Sequence, residues 1–124
     1  MQFHTATINS WKRLLADDSL KDIIVDCLQW LHENERARIH GFVIMPNRIH
    51  LLWTILNSGK QPAAQSLASY TAHAFKKKLL ADNGARLQQY VSTQNDRDFH
   101  FWERRPKTKH IISREMAVQK LNYI

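Results

Sequence analysis

Apolar and polar positions alternate along this chain with two different periods. Leu20, Ile23, Ile24, Cys27, Leu28 and Leu31 recur at helical spacing and predict an amphipathic helix over Leu20 to Asn34. Ser19 stands before it as the expected N-cap, with Asp22 near the positive end of the dipole. Cys27 lies on the apolar stripe and is expected to be a buried structural thiol, whereas His32 lies off it and is expected in solvent. A second helix is predicted from Ala64 to Ala81, with Leu67, Tyr70, Ala74 and Phe75 on one side. Lys76, Lys77 and Lys78 fall in its C-terminal part, as a solvated face or a phosphate contact, and Gly84 is its expected C-cap. Ser113 caps a last helix with Glu115 in its first turn.

Between these helices the period shortens to that of strands. Strands are expected over Phe3 to Ile8, Arg38 to Ile44, Arg48 to Leu56 and Phe99 to Glu103. Pro46-Asn47 supplies turn chemistry between the middle two, so they pair as a hairpin. Asn9 to Arg13 reads as a loop or short turn, Asn57 to Pro62 as a loop, and Ala85 to Thr93 as a stretch able to form a short helix. Arg104-Arg105-Pro106-Lys107-Thr108-Lys109 reads as a basic loop. Strand, helix, strand, strand, helix, strand, helix is the order of an α+β domain whose antiparallel sheet carries packed helices.

Composition narrows the class without naming a function. The 124 residues make one domain, and the 44% hydrophobic content supports a core. No apolar run approaches the roughly 20 residues of a membrane span, and Met1 to Ile8 lacks the pattern of a signal peptide. The single cysteine excludes an internal disulfide and fits a reducing cytoplasm, the expected location. The formal net charge of +7 fits either a polyanionic partner or a generic basic protein. Distribution favours the first, because from position 97 onward Arg97, Arg104, Arg105, Lys107, Lys109, Arg114 and Lys120 stand against Asp98, Glu103 and Glu115. Phe99, Phe101 and Trp102 interleave with them, a mixture suited to single-stranded nucleic acid.

Chemistry concentrates in Gly41-Phe42-Val43-Ile44-Met45-Pro46-Asn47-Arg48-Ile49-His50-Leu51-Leu52-Trp53. In a strand that restarts at Arg48, Arg48 and His50 share one face and Ile49 takes the other. On residues alone His50 also reads as a half-buried, hydrogen-bonded strand histidine. Tyr123 shares a helical face with Lys120 and Gln119, apart from an apolar stripe of Ala117, Leu121 and Ile124. On residues alone it also reads as an amphipathic surface tyrosine. His4, His40, His73, His100 and His110 match no ligand position.

Met45-Pro46-Asn47-Arg48-Ile49-His50-Leu51 resembles the signature of HUH-type single-tyrosine transposases of insertion sequences and repeat-associated elements, Met-Pro-Asn-His-hydrophobic-His-Leu. Lys120-Leu121-Asn122-Tyr123-Ile124 resembles the opening of the family's Tyr-Ile-His-x-Asn-Pro segment, and Phe101-Trp102-Glu103-Arg104-Arg105 its aromatic-basic stretch, so the resemblance covers nearly the whole chain. It implies a ferredoxin-like fold, an antiparallel sheet of four to five strands with helices packed on one face, in a homodimer. It implies single-stranded or hairpin DNA as partner, and tyrosine-mediated strand cleavage and rejoining in transposition. Tyr123 would be the nucleophile, His50 a ligand of magnesium or manganese, Arg104, Arg105, Lys107, Lys109 and Lys120 phosphate contacts, and Trp102 a stacking residue.

One position departs from the pattern. Arg48 stands where the family has its first metal-binding histidine, and a guanidinium is a permanent cation with donors only. One reading has it clamp a phosphate directly; the plainer one is loss or severe weakening of metal-dependent cleavage. The family's amide ligand would follow Ile124, where the sequence stops inside the expected tyrosine helix. Two other classes therefore stay open: a DNA-binding remnant that does not cut, and a basic ferredoxin-like domain that binds RNA or protein.

Overall fold

The computed structural model describes residues 1–56, 61–92 and 99–124. The expected loop at Asn57 to Lys60, together with Thr93, Arg97 and Asp98, lies outside the described residues. The elements are β1 (Gln2–Thr7), α1 (Asp18–Glu33), β2 (Ala37–Met45), β3 (Arg48–Ile55), α2 (Ala63–Asp82), α3 (Gly84–Leu87), β4 (Lys107–His110) and α4 (Arg114–Tyr123). Three-residue 3₁₀ turns at Asn9–Trp11, Leu14–Ala16 and Gln88–Tyr90 fill the connections. The four strands form one antiparallel sheet in the order β2-β3-β1-β4, the ferredoxin-like arrangement.

Register follows from the hairpin. Met45 pairs with Arg48 across the Pro46-Asn47 turn, and Asn47 and Pro46 then accept backbone bonds from Ile8 and Leu15, both at 2.9 Å. The turn is thereby tied to the chain that leaves β1. Thr7 pairs with Arg48, Thr5 with His50 and Phe3 with Leu52, so these six side chains share one face of the sheet. His4, Ala6, Ile49, Leu51 and Trp53 take the other, against α1 and α2, where Leu20, Ile24, Leu31, Leu67 and Phe75 complete the core. Helix α4 lies on the first face, with Tyr123 against Phe3 and His50 and Leu121 beside Gly41. The sheet thus carries α1 and α2 on one side and a short helix on the other.

Local corrections have local causes. The N-cap of α1 is Asp17, whose carboxylate accepts from Ser19 N at 2.9 Å and Ser19 Oγ at 2.8 Å. Those bonds hold its carboxyl below the usual carboxylate range. Asp17→Ala should therefore cost about 1 kcal/mol of stability. An unshifted urea midpoint would show that Ser19 caps the helix unaided. His32 is exposed, as expected, yet its Nδ1 accepts from Ile39 N at 3.2 Å. Along α2 the buried stripe is Ala63, Leu67, Thr71, Phe75 and Leu79, while Tyr70 is exposed. Gly84 begins α3 instead of ending α2, because the Asn83 side chain caps Arg86 N at 3.1 Å.

The largest displacement concerns the fourth strand. Phe99 and Trp102 make only isolated bridges, to Val91 and Ile8. The strand forms instead within the expected basic loop, where Lys107 pairs with Thr5 and His110 with Gln2. All four β4 residues are exposed, so no buried apolar period marks them. Cys27 is buried as expected, and burial pushes its thiol up to about 12. No helix among the described residues is long and apolar enough to cross a membrane.

Candidate functional site

A cleft of about 700 Å³ opens on the α4 side of the sheet. Its floor is Phe3, Thr5, Thr7, Arg48 and His50, contributed by β1 and β3 at matched register. Lys107 of β4 stands beside Thr5, Arg104 and Arg105 lead into that strand, and α4 brings Lys120 and Tyr123. Trp11 and Glu103 complete the lining. Among the described residues five basic side chains thus line the cleft with one carboxylate, and the Glu103 carboxylate already accepts from Ser10 N at 2.9 Å. Such a wall concentrates positive potential where a low-dielectric sheet forms the floor.

His50 is the most constrained group there. It is 4% exposed, its Nδ1 lies 2.8 Å from Thr5 Oγ1, and its ring stacks on Phe3 at 5.4 Å. Burial first, then the charges of Arg48 and Lys120, lowers its pKa, so the imidazole is neutral at pH 7. Its Nε2 is buried without a hydrogen-bond partner, and its ring meets that of Tyr123 edge to face, with centroids 5.4 Å apart and planes at 73°. Tyr123 is 61% exposed, and Lys120 Nζ lies 4.9 Å from the Phe3 ring centre and 5.9 Å from that of Tyr123. Gly41 permits this approach of α4, since an added Cβ would sit 3.0 Å from Leu121 Cδ2.

The sequence-expected residues divide accordingly. Arg48, His50, Arg104, Arg105, Lys107, Lys120 and Tyr123 converge on the cleft. Lys109 shares its sheet face through the pairing with Phe3 but lies outside the lining. Trp102 is a correction: it is 7% exposed, and its indole N–H donates to Thr71 Oγ1 at 2.9 Å in the core. A ring held that way is committed to the core and lies outside the lining of the cationic cleft. Phe101 is likewise core, stacked on Tyr90 at 5.1 Å.

The unpartnered Nε2 of His50 is a competent metal donor, yet its surroundings do not complete a ligand set. Arg48 occupies the neighbouring position on the same strand face and cannot ligate. Among the described residues no three His, Cys, Asp or Glu side chains come together as metal ligands. A second cavity, of about 780 Å³, lies between α2 and the segment from Phe99 to Pro106. It lies on the side of the sheet opposite His50 and Tyr123 and mixes alanines and aromatic rings with polar groups that include His73, Lys76 and Arg104.

Sequence reasoning missed Thr5 and Trp11. Thr5 orients His50, and the only advance sign was its place in the same alternation as Phe3. Trp11 sits at 63% exposure in a turn with no periodicity.

The same fold occurs in solved structures. A REP-associated tyrosine transposase bound to a REP hairpin matches with a TM-score of 0.68 and 13% identity, over 99% of this chain and 62% of that one. A candidate transposase from Deinococcus radiodurans R1 matches with a TM-score of 0.59 and 20% identity, over 99% of this chain and 87% of that one. The chain therefore spans 62% of the length of the hairpin-bound protein. No protein-family model matches it, and no curated protein matches it.

Proposed function

We propose that this chain is a transposase-like domain that binds single-stranded or hairpin DNA in the cationic cleft, with Tyr123 presented to the bound strand. The carrying observation is the convergence of Arg48, Arg104, Arg105, Lys107 and Lys120 around Tyr123. The fold shared with a hairpin-bound transposase supports the same reading. Phosphates would lie on those cations, and neutral His50 would stand against the tyrosine ring.

The accessible Tyr123 favours a second step, strand cleavage. The phenol would release its proton to water as its oxygen bonds to phosphorus, the P–O3′ bond would break, and the 3′ oxygen would leave and take up a proton from water. The product is a 5′-phosphotyrosine, and the reverse reaction rejoins the strand. With Arg48 in the place of a metal-binding histidine, Arg48, Lys107 and Lys120 would offset the developing phosphate charge. In this reading added magnesium or manganese changes the yield little. Arg48→His should create manganese binding visible by calorimetry, and a silent titration would count against the His50 placement.

The test is incubation of the protein with end-labelled single-stranded DNA, with manganese or with chelator. A covalent adduct lost in Tyr123→Phe supports cleavage, salt-sensitive binding without adduct supports a binding domain, and no binding defeats both. Binding should weaken steeply with salt, and removing Arg48, Lys107 and Lys120 together should lower the log–log slope by about 2. A homodimer belongs to the same reading, and light scattering on the eluting protein would test it.

A further inference from the structure

Trp11 lies outside the buried core. Leu14 and Leu15, which follow it, are fully buried, while Trp11 is 63% exposed on the rim of the cationic cleft. Among the described residues no aromatic ring or cation stacks on its indole. Its backbone is strained: Ser10 and Trp11 both take positive φ, at 58° and 57°. Neither is glycine, and a bulky residue in that region is a genuine outlier.

The strain is held from several sides. Asn9 N donates to Phe101 O at 2.8 Å, and Trp11 N donates to Ile8 O at 2.9 Å. Ser10 N donates to Glu103 Oε1 at 2.9 Å. The turn is therefore fastened to the segment that carries Arg104 and Arg105 toward β4. A largely exposed indole thus lines the same cleft as Arg48, Lys107 and Lys120. Aromatic rings beside backbone-tracking cations are how proteins hold unpaired nucleotides, and the stacking tolerates any base.

We propose that Trp11 is a base-stacking platform, which takes one unpaired nucleobase of a strand whose phosphates lie on Arg48, Lys107 and Lys120. This rests on the DNA-binding reading above and narrows its ligand. The strand must carry an unstacked base at the rim, so a loop, a bulge or a single-stranded flank fits and a continuous duplex does not. Stacking here falls to Trp11, because Trp102 is committed to the core.

The experiment compares a labelled single-stranded oligonucleotide with an abasic strand of equal length, by fluorescence anisotropy. Trp11→Leu should weaken the base-bearing strand on the order of 10- to 100-fold and leave the abasic strand unchanged. Trp11→Phe should restore most of the affinity. In a Trp30→Phe background, Trp11 is the exposed indole, and the base-bearing strand should quench its emission where the abasic strand does not. Equal weakening of both strands, or no weakening of either, overturns the proposal while the DNA reading stands. If the unmodified protein binds neither strand, the DNA reading fails and this proposal fails with it.

Discussion

Trp102→Ala should remove about 3–5 kcal/mol of folding stability, a large share of what a domain of this size possesses. The residue is 7% exposed and its ring lies 6.0 Å from the Phe75 ring. Truncation leaves a cavity and strips Thr71 Oγ1 of a donor at 2.9 Å, although that hydroxyl keeps its own bond to Leu67 O at 2.6 Å. Trp102→Phe retains most of the packing and should cost about 1–2 kcal/mol, mainly the lost hydrogen bond. Urea unfolding measures both. The phenylalanine variant, which stays folded, should bind single-stranded DNA like the parent protein. A small stability change joined to a large loss of DNA affinity would return Trp102 to the role of stacking residue.

Acid should weaken the fold between pH 6.5 and about 4, and His4 should account for much of the loss. It is 3% exposed, with Nδ1 3.0 Å from Thr108 Oγ1 and its ring 5.2 Å from Trp53. Burial lowers its pKa from 6.5 to about 4. Below pH 6.5 the unfolded chain takes up a proton that the folded chain refuses, so stability falls as pH falls. The loss from this residue is complete near pH 4, where the folded form also protonates, and amounts to about 3 kcal/mol. His4→Gln forfeits some stability at pH 7 but should flatten the pH profile. Parallel profiles for the two proteins would show that His4 does not carry the effect.

Both expectations concern residues whose roles sequence reasoning assigned wrongly or left blank. Trp102 looked like a stacking residue because it stands among cations, and adjacency in sequence says nothing about which side of the chain faces the core. His4 matched no motif, and its surroundings come from residues distant in sequence, Trp53 and Thr108. Thr71 hid in the same way, as a polar side chain satisfied by one partner four residues away and another thirty-one residues away.

Other features were legible because their causes are local. The Pro46-Asn47 turn sets the hairpin and places Arg48 with His50 on one face, which the pairing of β1 with β3 reproduces. The stripe of Leu20, Ile24, Cys27, Leu28 and Leu31 marked α1, and Ser113 marked the start of α4. The fourth strand was misplaced because an exposed edge strand owes its existence to hydrogen bonds with β1, not to any apolar period of its own.

The sequence by itself determined the order of elements, the two-sided hairpin, the basic character of the last third and the placing of Arg48 beside His50 on one strand face. Each depends on residue type or on spacing within a few positions. Only the tertiary structure decided that α4 lies over His50, that Trp11 stands on the cleft and that Trp102 does not. Those outcomes depend on contacts between segments distant in sequence, whose register is set when the sheet closes and the core packs.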